Sequence, residues 1–121
     1  MPKVLVVEDH EEIREVIRIT LELDDYEMQE AENGDLGLDA ARRWKPDLVL
    51  MDVMMPGRLD GLAACQAIKR DASLKKTRVI LLSARGQAQD KAAGRSAGAD
   101  AYLVKPYSPM ELLSTIRKVL S

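Results

Sequence analysis

The residues able to do chemistry stand at the ends of short apolar runs. Lys3–Val7 is followed by Glu8, Asp9 and His10, and Asp47–Met51 by Asp52. Arg78–Leu82 is followed by Ser83 and Ala84, and Ala101–Val104 by Lys105 and Pro106. Three carboxylates, a hydroxyl and an ammonium at corresponding places point to one shared rim. Two carboxylates about 4 Å apart repel by about 4 kcal/mol at an effective dielectric near 20, and one lysine does not neutralise three. A hard divalent cation with oxygen ligands does; Mg2+ takes one or two carboxylates and keeps waters at its other positions.

Taken singly, each residue has another role open to it. Asp9 can be the N-cap of a first helix, with Glu12 three residues on completing a box. Glu8 can be a solvated loop acid, and Lys105 can extend into water. Asp52 is harder to place that way, because an acid directly after "DLVLM" must be satisfied by something nearby. Cys65 is the lone cysteine and can form no intramolecular disulfide. It falls on an apolar helical face and reads as a small core filler.

The runs carrying these residues are nearly continuous in apolar character, the pattern of strands covered on both faces. A fifth run, Glu27–Ala31, alternates and suits an edge strand. Helical periodicity fills the gaps. Ile13, Val16, Ile17, Thr20 and Leu21 form one face of a first helix, while Glu11, Arg14, Glu15, Arg18 and Glu22 can pair along the other. Asn33-Gly34 opens a second helix that stops before Pro46, and a third runs from about Asp60 to Asp71. Ser108-Pro109-Met110-Glu111 is a capping box with proline at the first helical position. Gln87–Ala97 is the weakest helix: it holds Gly94 and several alanines but no large aliphatic residue, which predicts marginal local stability.

Five strand–helix alternations predict a (βα)5 domain, an α/β fold with a parallel sheet and right-handed crossovers. Ligands of such sheets bind beyond the carboxyl ends of the strands. The 121 residues show no linker, repeat or low-complexity stretch and read as a single domain over 1–121. Eighteen basic against twenty acidic residues give a net charge of −2, which offers no general attraction to nucleic acid or anionic membrane. No apolar stretch approaches the roughly 20 residues that span a bilayer. The N-terminal run is too short for a signal peptide and ends in acids, so a cytoplasmic location is expected.

Four motifs, "VVEDH" (6–10), "MDVMMPG" (51–57), "LLSA" (81–84) and "YLVKP" (102–106), resemble in order and placement those of the receiver domain of bacterial two-component response regulators, chemotaxis regulators among them. The resemblance covers essentially the whole chain. It implies a flavodoxin-like, doubly wound five-stranded sheet in the order 2-1-3-4-5. It implies that Asp52 accepts a phosphoryl group from a histidine of a sensor histidine kinase or histidine phosphotransfer protein. It further implies Mg2+, with Mn2+ able to substitute, held by Glu8, Asp9, Asp52 and the Met54 carbonyl.

Ser83, the Ala84 amide and Lys105 would bind the phosphoryl oxygens, and the bond to Pro106 would be cis. Ser83 and Tyr102 would form the switch that changes the face of helix four, strand five and helix five, where Arg95, Arg117 and Lys118 lie. The implied chain is a signalling domain that catalyses only its own phosphorylation and dephosphorylation, the latter by Mg2+-assisted hydrolysis. A monomer or phosphorylation-dependent dimer is expected, with an unidentified output partner, no direct nucleic-acid contact and no membrane. His10 then reads as a solvent-facing helix-start residue, because the donor histidine lies on another protein.

The chemistry suits those roles, since a carboxylate is a competent nucleophile and phosphoryl transfer needs mostly positioning and charge neutralisation. Three rivals fit less well. A nucleotide or flavin site would want backbone amides where "EDHEE" offers acids. An aspartyl phosphatase often has a second acid two residues after its nucleophile, where this chain has Met54. A module that binds without phosphorylation usually lacks an acid or the lysine, and this chain keeps them all. One departure from the family pattern stands out: "MMPGRLDG" carries an extra residue, which lengthens the Gly57–Asp60 loop at the rim. Met54 and Arg85 border the site and are expected to tune how quickly the phosphate is lost.

Overall fold

Alternate residues of an apolar strand face opposite sides of a sheet, so a continuous run needs helices on both. The computed structural model, which describes residues 1–121, supplies them. Its elements are β1 (Lys3–Val7), α1 (Glu11–Leu21), β2 (Glu27–Ala31), α2 (Gly34–Trp44), β3 (Leu48–Asp52), α3 (Gly61–Arg70), β4 (Arg78–Ser83), α4 (Ala88–Ser96), β5 (Ala101–Val104) and α5 (Pro109–Leu120). A short 3-10 turn, Ala72–Leu74, follows α3. All strand pairs are parallel, in the order β2-β1-β3-β4-β5 expected of the fold.

Leu5, Val7, Val49, Met51, Val79 and Leu81 face α2 and α3, packing with Leu38, Ala41, Ala64, Cys65 and Ile68. Val4, Val6, Leu48, Leu50, Ile80 and Leu82 face α1 and α5, against Ile17, Leu21, Leu112 and Ile116. Fully burying one such aliphatic side chain contributes about 1.5–3 kcal/mol. Cys65 is the core filler its helical face suggested. Burial pushes its thiol up to about 12, which leaves it inert.

Several local details differ from the sequence reading. The continuous apolar run of β5 suggests cover on both faces, yet at the edge where the order 2-1-3-4-5 puts it each of its four residues is only partly buried. β3 starts and ends one residue later than its apolar run, and β4 ends one residue later. Asp52 is therefore paired with Leu82, and Ser83 with Val104, as the last residues of their strands. Val16, assigned to the buried face of α1, is exposed together with Ile19 and Leu23. Arg14 and Arg18 pair with Glu30 of β2 rather than along their own helix.

Caps set the helix starts. Asn33 and Asp60 accept from the Leu36 and Ala63 amides, both at 2.8 Å, and Ser108 and Glu111 form the reciprocal box. The N-cap of α1 is His10 rather than Asp9, and its side chain makes no capping bond. In α4 the only buried residue is Gly94, in keeping with a weakly anchored helix. The Lys105–Pro106 bond is cis. No helix is long and apolar enough to cross a membrane.

Candidate functional site

The acids converge because three strands end at one level. Asp52 is buried at the end of β3, and its Oδ1 lies 3.3 Å from Lys105 Nζ. The Met54 amide donates a long bond to the same oxygen at 3.4 Å. Glu8, almost fully buried just beyond β1, has Oε1 3.5 Å from the same Nζ. One ammonium thus spans two buried carboxylates. Gly61 permits this crowding: any Cβ there would strike the Asp52 carbonyl and the Val53 backbone, so α3 can start against the end of β3.

Asp9 and His10 complete the rim. Asp9 Oδ1 is buried without a hydrogen-bond partner. Ligand atoms of Glu8, Asp9 and His10 all lie within 4.8 Å of one another. Asp52 lies outside that tight group and is tied to it through Lys105. Burial first, then hydrogen bonding with Asp9 and Asp52 and the charge of Asp52, pushes the Glu8 carboxyl up to about 7 against a smaller opposing pull from Lys105. Burial, and then the Glu8 and Asp52 charges, also push the nearby Tyr107 phenol up to about 12.

A buried carboxylate oxygen without a hydrogen-bond partner, beside a second buried acid, is a donor set suited to a cation. Its oxygens fit a hard divalent ion. Met54 is half-exposed at the rim. With Val53, Met55, Pro56, Asp60, Leu62 and Arg85 it lines a depression of about 480 Å3 next to Asp52. The lengthened loop borders this depression through Asp60, and Gly57 takes its left-handed turn at φ 117°.

On the other flank, Ser83 is fully buried and its Oγ accepts from the Arg85 amide at 3.0 Å, leaving its proton free to donate. The Tyr102 hydroxyl donates to the Arg85 carbonyl at 2.7 Å. A single residue's main chain therefore joins the two expected switch side chains. Ala84 follows Ser83 and is exposed. On the face of α4, β5 and α5, Arg95 and Lys118 are exposed, whereas Arg117 is committed to Asp24 at 2.9 Å.

Two positions gain weight from the structure. His10 belongs to the acid group by contact as well as by sequence. Arg14, whose side chain is only 15% exposed, donates to the Glu8 carbonyl at 2.6 Å and to Glu30 at 3.2 Å, so it fastens the acidic loop to β2. Its basic residue type gave no hint of this, because the partner comes from another strand.

The family model of the response regulator receiver domain matches residues 4–117. The chain is 38% identical over 120 residues to the DNA-binding dual master transcriptional regulator RpaA of Synechocystis sp., covering 99% of this chain and 49% of RpaA. It is 40% identical over 118 residues to the transcriptional regulatory protein ResD of Bacillus subtilis, covering 98% and 48%. It thus spans about half the length of these curated relatives. Among solved structures, the chemotaxis protein CheY4 of Vibrio cholerae superposes with a TM-score of 0.92 at 33% identity, over 99% of both chains.

Proposed function

Because this chain belongs to the response regulator receiver family, a family of phosphoacceptor signalling domains, we propose that Asp52 takes a phosphoryl group from a histidine of a sensor kinase or phosphotransfer protein. The observation that carries this reading is Asp52 itself: a buried carboxylate at a strand end, 3.3 Å from the ammonium of Lys105 and beside an acid pair suited to a cation. The Asp52 oxygen attacks phosphorus, the phosphorus–nitrogen bond to the donor breaks, and an acyl phosphate forms. Lys105 holds a phosphoryl oxygen, and the Ser83 hydroxyl donates to another with the Ala84 amide beside it. Mg2+ held by Glu8, Asp9, Asp52 and the Met54 carbonyl would neutralise charge on the transferring group and assist the hydrolysis that resets the switch.

Residues 1–121 act in this reading as one receiver domain in the cytoplasm. The exposed apolar residues Val16 and Ile19 on α1, with Leu23 just beyond its end, support donor docking there. When the Ser83 hydroxyl turns to the phosphate, the Arg85 main chain it holds moves too, and with it the partner of Tyr102. Weakly anchored α4 passes this on to the α4–β5–α5 face, which an output partner reads.

Phosphoramidate, a small donor with a phosphorus–nitrogen bond, tests the reading. Intact mass should show one phosphoryl adduct with Mg2+ and none when the metal is chelated. An adduct formed equally well without Mg2+ overturns it.

A further inference from the structure

We propose that His10 makes the acidic pocket a mixed nitrogen–oxygen site that takes a first-row transition ion, Zn2+ in particular, through Glu8, Asp9 and the His10 ring. The inference rests on reading Glu8 and Asp9 as the metal pair and adds a third ligand, with its own selectivity. His10 Nδ1 lies 3.2 Å from Asp9 Oδ1 and 3.6 Å from Glu8 Oε2. Ligands about 2.0–2.2 Å from one ion, at tetrahedral or octahedral angles, sit about 2.8–3.6 Å apart. His10 Nδ1 is thus at ligand spacing from each acid, and all three ligand atoms lie within 4.8 Å of one another.

Their orientation agrees. Asp9 Oδ1 is buried with no hydrogen bond although the ring nitrogen is only 3.2 Å away. A buried carboxylate oxygen with no hydrogen bond of its own is free to serve as a ligand. The backbone at His10 is extended at φ −88°, ψ 117°, and its amide donates a long bond to Glu8 Oε2 at 3.4 Å, which ties residue 10 to the acid. The imidazole is not spent on capping α1 and is 61% exposed, open to an arriving ion. Lys105 faces the other Glu8 oxygen, Oε1.

An imidazole nitrogen adds little for Mg2+, which prefers oxygen and keeps its waters, but much for zinc and its neighbours. The two ions would share Glu8 and Asp9 and so exclude each other.

The test titrates ZnCl2 and MgCl2 into the wild type and His10→Ala at about pH 7.5, by calorimetry. His10 is the only histidine, so the ring 15N signals of the wild type report its ligation without ambiguity. One Zn2+ should bind per wild-type chain and shift the Nδ1 signal. Loss of outer-shell partners alone costs about 10–100-fold in metal affinity, so His10→Ala should weaken Zn2+ at least about tenfold. Mg2+ affinity should stay within about twofold. Equal Zn2+ affinities in the two proteins, or an unshifted Nδ1 signal in the zinc-bound chain, overturn the proposal. An equal loss of Mg2+ affinity also overturns it, because His10 would then only shape the acid pair. Zinc binding that depends on His10, with no Mg2+ binding at all, upholds this inference and counts against the receiver reading of the pocket.

Discussion

At the scale of single residues, the charge balance turns on Glu8 and Lys105. In the metal-free protein Glu8 keeps its proton up to about 7, above the ordinary 4.5. A folded-state pKa raised in this way gives stability that is fully present below pH 4.5 and lost as pH rises through about 7. Thermal midpoints in a chelator should therefore fall across that range more steeply for the wild type than for Glu8→Gln. Saturating Mg2+ should remove the difference, since a cation replaces the proton. Parallel curves for the two proteins would contradict this account of the acids. Lys105→Met should leave the fold intact and slow phosphorylation by small donors about 10²–10³-fold, the usual cost of one preorganised charge-stabilising donor. A rate unchanged by Lys105→Met, measured by intact mass against time, would remove Lys105 from the chemistry. Glu8, Asp9, Asp52, Ser83 and Lys105 were legible in the sequence because strand ends of a parallel sheet share one rim. The contact of His10 with Asp9 and the grip of Arg14 on the Glu8 carbonyl were not, because they depend on side-chain rotamers and on where β2 lies.

At the scale of elements, α3 and α4 matter most to the site. α3 starts hard against β3, and Gly61→Ala must push the two apart. Overpacking of this kind costs about 1–3 kcal/mol. Chemical denaturation should show a loss of that size together with slower Asp52 phosphorylation; an unperturbed variant would mean that the Gly61 contact is not needed. α4 buries only Gly94, whereas α5 buries Leu112, Leu113 and Ile116. Amides of Ala88–Ser96 should therefore exchange faster than those of the α5 interior, and phosphorylation should change their protection. Identical exchange in α4 with and without the phosphoryl group would argue against its part in the switch. The starts at Asp60 and Ser108 could be read from their capping residues. The exposure of Val16 could not, because the apolar stripe of α1 is wider than the strip the sheet covers. The edge position of β5 follows from the strand order that the motifs imply, but its partial burial could not be read from a continuous apolar run.

At the scale of the whole molecule, two cores sandwich one sheet, and the reactive rim sits where their central strands end. Leu50 is fully buried between β1 and β4 on the α1–α5 side, so Leu50→Ala should cost about 2–5 kcal/mol in denaturant unfolding. A loss below 1 kcal/mol, well under that range, would mean that this layer collapses around the gap. The extra rim residue was visible in the sequence, but the depression it borders depends on how Met54, Met55 and Leu62 pack. The central claim is that this scaffold exists to present Asp52 as the phosphoryl acceptor. Its most direct test is modification by acetyl phosphate with Mg2+, read by intact mass for the wild type and Asp52→Ala. One adduct in the wild type and none in the variant is the predicted result. An adduct that survives in Asp52→Ala would contradict the account.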